Sequence, residues 1–309
     1  MTHSNNSATA RKTPHRTGAP RPDPTTSPGK IVSLRAATTP HSPMVVAVTS
    51  GKGGVGKTSI SVNLAVALGA RGVRVLCVDA DLGLANMDIV MGVAPTFTAA
   101  ELVRGEAEID EVLVEGPDNV WLLPGASGQH DLAGLNDRGR KTLFEAIDTL
   151  DERFDAVVVD TGAGIGSNAV GFAAAAKDVL VVVTPEPTSV ADAYGMIKVL
   201  STRCGVRRMK VVANSCASAA EGERVFQRIS ALADRFLDVV LEYVGHVPKD
   251  NSVGRAVVRG EPFMCTHPDS PAARAVDGLA GKLLASDDDD DREGAIRLFW
   301  RKLLRQGGQ

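Results

Sequence analysis

Three features of the sequence predict an α/β fold with a doubly wound, mostly parallel sheet and helices on both faces. Short, nearly continuous apolar runs alternate with helical stretches, as in strands buried on both faces. A glycine-rich turn follows the first run, and aspartates follow two later ones, where the ligands of such sheets bind. The predicted strands lie in MVVAVTS from Met44, VRVLCVDAD from Val73, NVWLLPG from Asn119, FDAVVVDTG from Phe154, DVLVVVTPE from Asp178, MKVVANS from Met209 and LEYVGHVP from Leu241.

Composition limits the possible classes of protein. The chain has 309 residues, of which 44% are hydrophobic, and this suits one large domain with tails. Its formal net charge is -3. No run approaches the roughly 20 apolar residues of a membrane span, and the first residues do not resemble a secretion signal, so we expect a cytoplasmic protein. Widely spaced cysteines without a CxxC pair favour reduced, structural thiols at Cys77, Cys204, Cys216 and Cys265.

Composition also divides the chain into four predicted parts. Residues 1–43 carry seven of the 16 prolines and six basic residues against one acid, which predicts a basic, proline-rich disordered arm. Residues 44–285 form the predicted α/β domain. Residues 286–294, with five consecutive aspartates from Asp287, are expected to be an extended acidic linker. Residues 295–309 form a short basic and apolar tail.

The segment from Gly51 to Ser59, GKGGVGKTS, predicts an ATP phosphate site. It lies between a predicted strand and a predicted helix, so glycine-permitted turns and the helix N-terminus direct backbone N–H groups toward an anion. Lys57 is expected to reach the outer phosphates, and Thr58 to ligate Mg²⁺. The predicted nucleotide-binding residues are Gly51, Lys52, Gly53, Gly54, Val55, Gly56, Lys57, Thr58 and Ser59.

Aspartates follow two of the predicted strands at the mouth of the ligand crevice. We expect Asp81 to position the water that attacks the terminal phosphate, and Asp79 to support the metal. Asp160, followed by TGAGIG, is expected to reach Mg²⁺ through water, and its glycine-rich loop to move when phosphate is lost. Spacing alone leaves open that Asp79 and Asp81 are solvated loop acids.

The string KGGVGKT resembles the deviant Walker A motif of the MinD/ParA family of P-loop ATPases, and VDADLGLANMDIVMG is similar to a MinD segment. The resemblance implies that Lys52 crosses a homodimer interface to the partner's nucleotide, where a positive charge supports hydrolysis. It also implies adenine contacts from Asn214, Pro248 and Asp250. On residue type alone, these three residues could equally serve local turns.

Segments beyond the loop, such as VVVDTGAGIGSNAV and VVVTPEPTSVADAYGMIKVL, most resemble the flagellar number regulators of that family, the FlhG, FleN or YlxH group. This resemblance implies an ATPase that limits flagellar number together with an FlhF-type GTPase, flagellar C-ring proteins or a flagellar transcription activator. The group's N-terminal activating motif, Asp-Gln-Ala followed by Leu-Arg, is absent from residues 1–43. The resemblance therefore does not imply that this chain stimulates the GTPase.

The tail predicts an amphipathic helix that binds an anionic membrane. One face carries Ile296, Phe299, Trp300, Leu303 and Leu304, and the other is basic. A dimer would present two such helices and bind more tightly by avidity, which couples ATP to reversible attachment at the inner face of the cell membrane. The alternative is a terminal helix docked on the protein's own core.

Other functions of the same fold remain open. They include a division-site MinD-type ATPase, a ParA-type partitioning ATPase, which requires a basic surface on the folded domain, and a non-catalytic scaffold switched by ATP. The basic clusters lie in the tails, so no specific nucleic acid is expected.

Overall fold

A computed structural model of the chain describes residues 44–81, 85–125, 146, 149–285 and 295–306. For residues 295–297 and 304–306 it describes the backbone only. The predicted arm, residues 1–43, and the predicted acidic linker, residues 286–294, lie outside the described residues.

One eight-stranded sheet forms the centre of the domain, in the order β3-β4-β2-β5-β1-β6-β7-β8. All neighbouring strands are parallel except β3 and β4. The doubly wound, mostly parallel prediction is therefore confirmed. The strands are β1 Met44–Thr49, β2 Val75–Ala80, β3 Val114–Glu115, β4 Val120–Leu123, β5 Ala156–Thr161, β6 Asp178–Val183, β7 Arg208–Cys216 and β8 Val240–Pro248.

Helices cover both faces of this sheet. The longest follow β1, β6, β7 and β8, and those after β1, β6 and β7 lie in connections between parallel strands of the sheet. The helices are α1 Lys57–Gly69, α2 Met87–Met91, α3 Ala99–Arg104, α4 Ile109–Val112, α5 Ser167–Ala175, α6 Pro187–Cys204, α7 Ala219–Phe236, α8 Asn251–Arg259, α9 Phe263–Thr266, α10 Pro271–Ala285 and α11 Ala295–Gln306.

The two faces of the sheet bury two separate apolar cores. Successive side chains of a strand point to opposite faces, so Val45 and Ala47 of β1 pack with α5, α6 and α7. Met44, Val46 and Val48 pack on the other side with α1 and α10. This double burial explains why the strands are nearly continuous apolar runs in the sequence.

The central position of β1 brings its loop close to the predicted acids. β1 lies between β5 and β6, and Val48 of β1 is in register with Asp160 of β5. Asp160 is in turn in register with Asp79 of β2. The glycine-rich loop and both aspartates therefore meet at the carboxyl ends of three adjacent strands, where doubly wound sheets bind ligands.

The tail forms the expected helix, α11, but its apolar face is not open to solvent. Phe299, Trp300 and Leu303 are 1%, 2% and 8% exposed and belong to the core on the α5 side. The rings of Phe299 and Trp300 each lie 6.3 Å from that of Phe172 in α5. An apolar stripe packs on a protein core as well as on lipid, and in this structure these three residues pack on the protein's own core, which is the alternative given above. Their binding to a membrane stays a prediction.

The side chains of Ile296 and Leu304, the other two residues assigned to the membrane, lie outside the described residues. On the outward side of α11, Leu298 is 52% exposed, and Arg301 and Lys302 are also exposed. Within the described part of the chain, no helix has both the length and the apolar character that crossing a bilayer requires.

Candidate functional site

The glycine-rich loop between β1 and α1 adopts a conformation that requires glycine. Gly54 and Gly56 have φ angles of 76° and 85°, in the left-handed region. A Cβ atom on Gly56 would lie 2.5 Å from Asn214 Nδ2. Helix α1 begins directly afterwards, with no side-chain cap and no acid in its first turn. The first-turn N–H groups and the positive end of the helix dipole are therefore suited to bind phosphate.

Asp160 is the centre of a buried polar cluster beneath this loop. Its carboxylate is fully buried and accepts hydrogen bonds from Lys57 Nζ at 2.9 Å, Thr58 Oγ1 at 2.6 Å and Ser61 Oγ at 2.8 Å. The structure thus brings together the predicted phosphate lysine, Lys57, and two of the three predicted metal groups, Thr58 and Asp160. Ser61 was not predicted, although its place one helical turn after Lys57 puts it on the same face of α1.

The cluster has the chemistry that Mg²⁺ and a nucleotide require. Hydroxyl and carboxylate oxygens are the donors that Mg²⁺ prefers, and it usually takes only one or two from protein because phosphates and water supply the rest. The described residues contain no cluster of three or more His, Cys, Asp or Glu that could hold a metal ion. Ser59 Oγ in the first turn of α1 is buried and has no hydrogen-bond partner among the described residues, a deficit that a bound ligand would satisfy.

Asp79 organises its own loop. It lies within β2 and its carboxylate accepts the backbone N–H groups of Asp81 at 3.2 Å, and of Asn86 and Met87 at 2.9 Å each. Burial raises the pKa of Asp79 to about 6, although the N–H bond from Met87 opposes this and the nearby charge of Asp160 adds to it. The structure therefore gives Asp79 a loop-holding role, and its predicted support of the metal stays a prediction.

Asp81 lies beside the segment that follows β5. Its Oδ1 is 3.6 Å from the position that a Cβ on Gly162 would take. The segment also contacts the start of the phosphate loop, because Gly164 N–H donates to Ser50 O at 3.0 Å. Asp81, the glycines after Asp160 and the loop thus form one wall of the site, which is where a water-positioning group would have to lie.

The residues assigned to adenine lie at the ends of β7 and β8. Asn214 Nδ2 donates to Val55 O at 2.7 Å and so supports the phosphate loop. Asp250 caps α8 by accepting from Ser252 N–H at 2.8 Å and reaches Ala272 N–H of α10 at 3.1 Å. Burial alone would raise the pKa of Asp250, but these hydrogen bonds outweigh it and the pKa is lowered. Pro248 ends β8. Their contact with a base stays a prediction.

Lys52, the residue expected to act across a dimer, has partners within its own chain. Its Nζ donates to Glu186 Oε2 at 2.8 Å and to Thr188 Oγ1 at 3.0 Å. Both partners lie at the start of α6. These two contacts could not be predicted from the sequence, because neither residue belongs to a phosphate or metal motif.

Comparison with known proteins identifies the family. Residues 46–263 match the model of the CobQ/CobB/MinD/ParA nucleotide binding domain. The chain belongs to this family. It is 42% identical over 265 residues to the antiactivator FleN of Pseudomonas aeruginosa, covering 86% of this chain and 95% of FleN. It is 33% identical to the flagellum site-determining protein YlxH of Helicobacter pylori, over 85% of this chain and 90% of YlxH.

Among solved structures, the chain resembles the septum site-determining protein MinD of Pyrococcus horikoshii, which was solved in complex with Mg-ADP. The TM-score is 0.64 and the identity is 27%, over 80% of this chain and 99% of that one. The fold and the resemblance to MinD/ParA ATPases and their flagellar members, both predicted from sequence, are thereby confirmed.

Proposed function

We propose that this chain is a Mg²⁺-dependent ATPase that dimerises with ATP and regulates the number or placement of flagella. The observation that carries the proposal is the Asp160 cluster, in which one buried carboxylate gathers Lys57, Thr58 and Ser61 directly under a glycine-rich loop. This arrangement suits the phosphates and metal of ATP. The similarity to FleN and YlxH supports the flagellar role over a division-site or partitioning role.

Different residues of the site would bind ATP, hold Mg²⁺ and position the attacking water. The loop and Lys57 would hold the phosphates, Thr58 would ligate Mg²⁺, and Asp160 would act on the metal through water. The metal, when bound, neutralises the charge that develops on the phosphates. Asp81 would hold the attacking water from the wall formed with the glycines after Asp160. Lys52 of a second copy would add positive charge beside the departing phosphoryl group, so turnover would depend on dimerisation.

We also propose that the chain associates with membranes through α11, once this helix has undocked from the domain. Phe299, Trp300 and Leu303 of α11 are buried in the core on the α5 side, so their binding to lipid requires the helix to undock. Helix α5 begins at Ser167, directly after the glycine segment that follows Asp160. A change in that segment on nucleotide binding could therefore loosen the docking surface of α11. Partners of the chain would include a second copy, an anionic membrane surface and flagellar proteins of the kinds named above.

Phosphate release by purified protein tests the catalytic part. Lys57→Ala should lose ATP binding and turnover, because the main phosphate charge is gone. Lys52→Ala should keep ATP affinity and lose turnover, because its charge acts across the dimer in the transition state. Wild-type turnover per chain should rise with protein concentration as dimers form. Turnover that is independent of concentration, or unchanged in Lys52→Ala, would contradict the proposal.

A genetic experiment tests the flagellar part. Deleting the gene in its host should change the number or position of flagella counted by electron microscopy. The wild-type gene should restore the original pattern, and the Lys57→Ala gene should not. Unchanged flagella in the deletion strain would overturn the flagellar role while leaving the ATPase assignment intact.

A further inference from the structure

The contacts of Lys52 described above lie within its own subunit. Two of the three protons of its ammonium group are engaged, one by the carboxylate of Glu186 and one by the hydroxyl of Thr188. Glu186 is the residue immediately before α6, and Thr188 lies in the first turn of that helix. These contacts form outside the Asp160 cluster and do not involve the predicted phosphate or metal groups.

The backbone next to Lys52 is fixed against the same helix. Gly51 approaches α6 so closely that a Cβ atom would lie 1.9 Å from the carbonyl oxygen of Asp192. Ser50 Oγ also donates to Lys52 O at 2.9 Å. The absence of a side chain at Gly51 therefore allows the loop to rest on α6, and this contact directs Lys52 to the start of that helix.

We propose that Glu186 and Thr188 form a latch that retains Lys52 in its own subunit until the nucleotide of a second copy competes for it. This inference rests on the proposed function, in which Lys52 contacts the partner's phosphates. An ammonium group that bonds Glu186 and Thr188 cannot also lie beside phosphates of another subunit. Closing the dimer must therefore break the latch, and by symmetry it breaks two.

The latch adjusts the dimerisation equilibrium and does not block it. The Lys52 and Glu186 side chains are 37% and 65% exposed, and exposed ion pairs are weak. Breaking two such pairs should weaken the dimer by about two- to thirtyfold. An effect of this size raises the concentration at which ATP-bound chains dimerise and does not prevent assembly.

The test measures the dimer dissociation constant by sedimentation velocity with ATP and Mg²⁺, in an Asp81→Ala parent so that ATP persists. Glu186→Gln keeps the size of the side chain and removes its charge, and should lower the dissociation constant several-fold. Thr188→Val should lower it less. Glu223→Gln, an exposed glutamate on α7, removes the same charge elsewhere and should have no effect.

A double-variant cycle ties the effect to Lys52. In an Asp81→Ala parent that also carries Lys52→Ala, Glu186→Gln should change the dissociation constant no further, because the latch has already lost its cation. A dissociation constant that is unchanged or raised by Glu186→Gln, in a parent that does dimerise, contradicts the latch alone. If the Asp81→Ala parent forms no dimer in ATP, both the latch and the proposed function are contradicted.

Discussion

At the scale of single residues, two buried carboxylates on adjacent strands have different roles because their hydrogen-bond partners differ. Asp79 and Asp160 are neighbours in register on β2 and β5, and both are buried. Asp160 receives a lysine and two hydroxyl groups, which suits it to a charged ligand. Asp79 accepts backbone N–H groups of its own loop, and burial raises its pKa to about 6, an effect to which the nearby charge of Asp160 adds.

This raised pKa predicts a pH dependence of stability. The ordinary value is 3.8, so between about pH 4 and 6 the folded state holds a proton on Asp79 that the unfolded state has lost. Stability from this group is therefore lost as the pH rises toward 6, by on the order of 2–3 kcal/mol. Asp79→Asn cannot titrate at this position and does not lose this stability. The free energy of unfolding of Asp79→Asn minus that of the wild type should therefore increase by that amount from pH 4 to 7.

Urea unfolding without nucleotide or metal measures the effect. Any constant cost of the amide, such as a lost acceptor for Asn86 N–H, cancels because only the change with pH is compared. Asp88→Asn in α2 controls for the removal of a charge nearby. Parallel pH profiles of Asp79→Asn and wild type would show that Asp79 does not titrate in this range.

The residues of the phosphate site could be predicted from the sequence because each has a motif with a fixed chemical purpose. Lys57, Thr58 and Asp160 meet as expected. The partners of Asp79 and Lys52 could not be predicted. An acid at a strand end points either to the ligand or to its own loop, and the position of Glu186 relative to Lys52 depends on two elements that are distant in sequence.

At the scale of secondary-structure elements, strands buried on both faces were predictable because their apolar runs are continuous. Strand β3 was missed because it is only two residues long and pairs antiparallel with β4 at the sheet edge. The tail helix was predicted, but its surroundings were not. Its apolar stripe is compatible with lipid and with protein, and the aromatic surface around Phe172 that receives it is assembled only by the fold.

The docking of α11 should be marginal and adjustable. Trp300 Nε1 is buried and has no hydrogen-bond partner in the part of the chain that the structure describes, which opposes docking. Phe172→Leu alters the groove but not the helix, and losing the aromatic contacts should raise the undocked population about fivefold. We therefore expect faster tryptic cleavage at the exposed Arg301 and Lys302 and more binding to anionic vesicles in ADP.

Phe226→Leu is the matched control, because Phe226 stacks on Tyr243 at a ring distance of 5.1 Å in a different part of the fold. It should leave tail cleavage and vesicle binding unchanged. Equal cleavage of the tail in Phe172→Leu and wild type would show that Phe172 does not hold α11 in place.

At the scale of the whole molecule, three functional surfaces lie on one domain. The carboxyl ends of β1, β2 and β5 carry the predicted nucleotide site, and the start of α6 holds Lys52. The glycine segment after β5 leads directly into α5, which carries the docked tail. ATP would act on all three surfaces together by closing a dimer, withdrawing Lys52 from its latch and releasing two tails whose combined membrane affinity greatly exceeds that of one.

The most direct test is co-sedimentation of the Asp81→Ala protein with anionic vesicles in ATP and in ADP. This variant retains the loop, Lys57 and Thr58, and should bind ATP and Mg²⁺ but fail to position the attacking water, so the dimer persists. It should sediment with vesicles in ATP, stay in the supernatant in ADP, and lose attachment when Phe299 and Trp300 are both changed to Glu. Equal sedimentation in ATP and ADP would contradict the coupling of nucleotide to membrane, and no sedimentation in either would assign α11 permanently to the domain core.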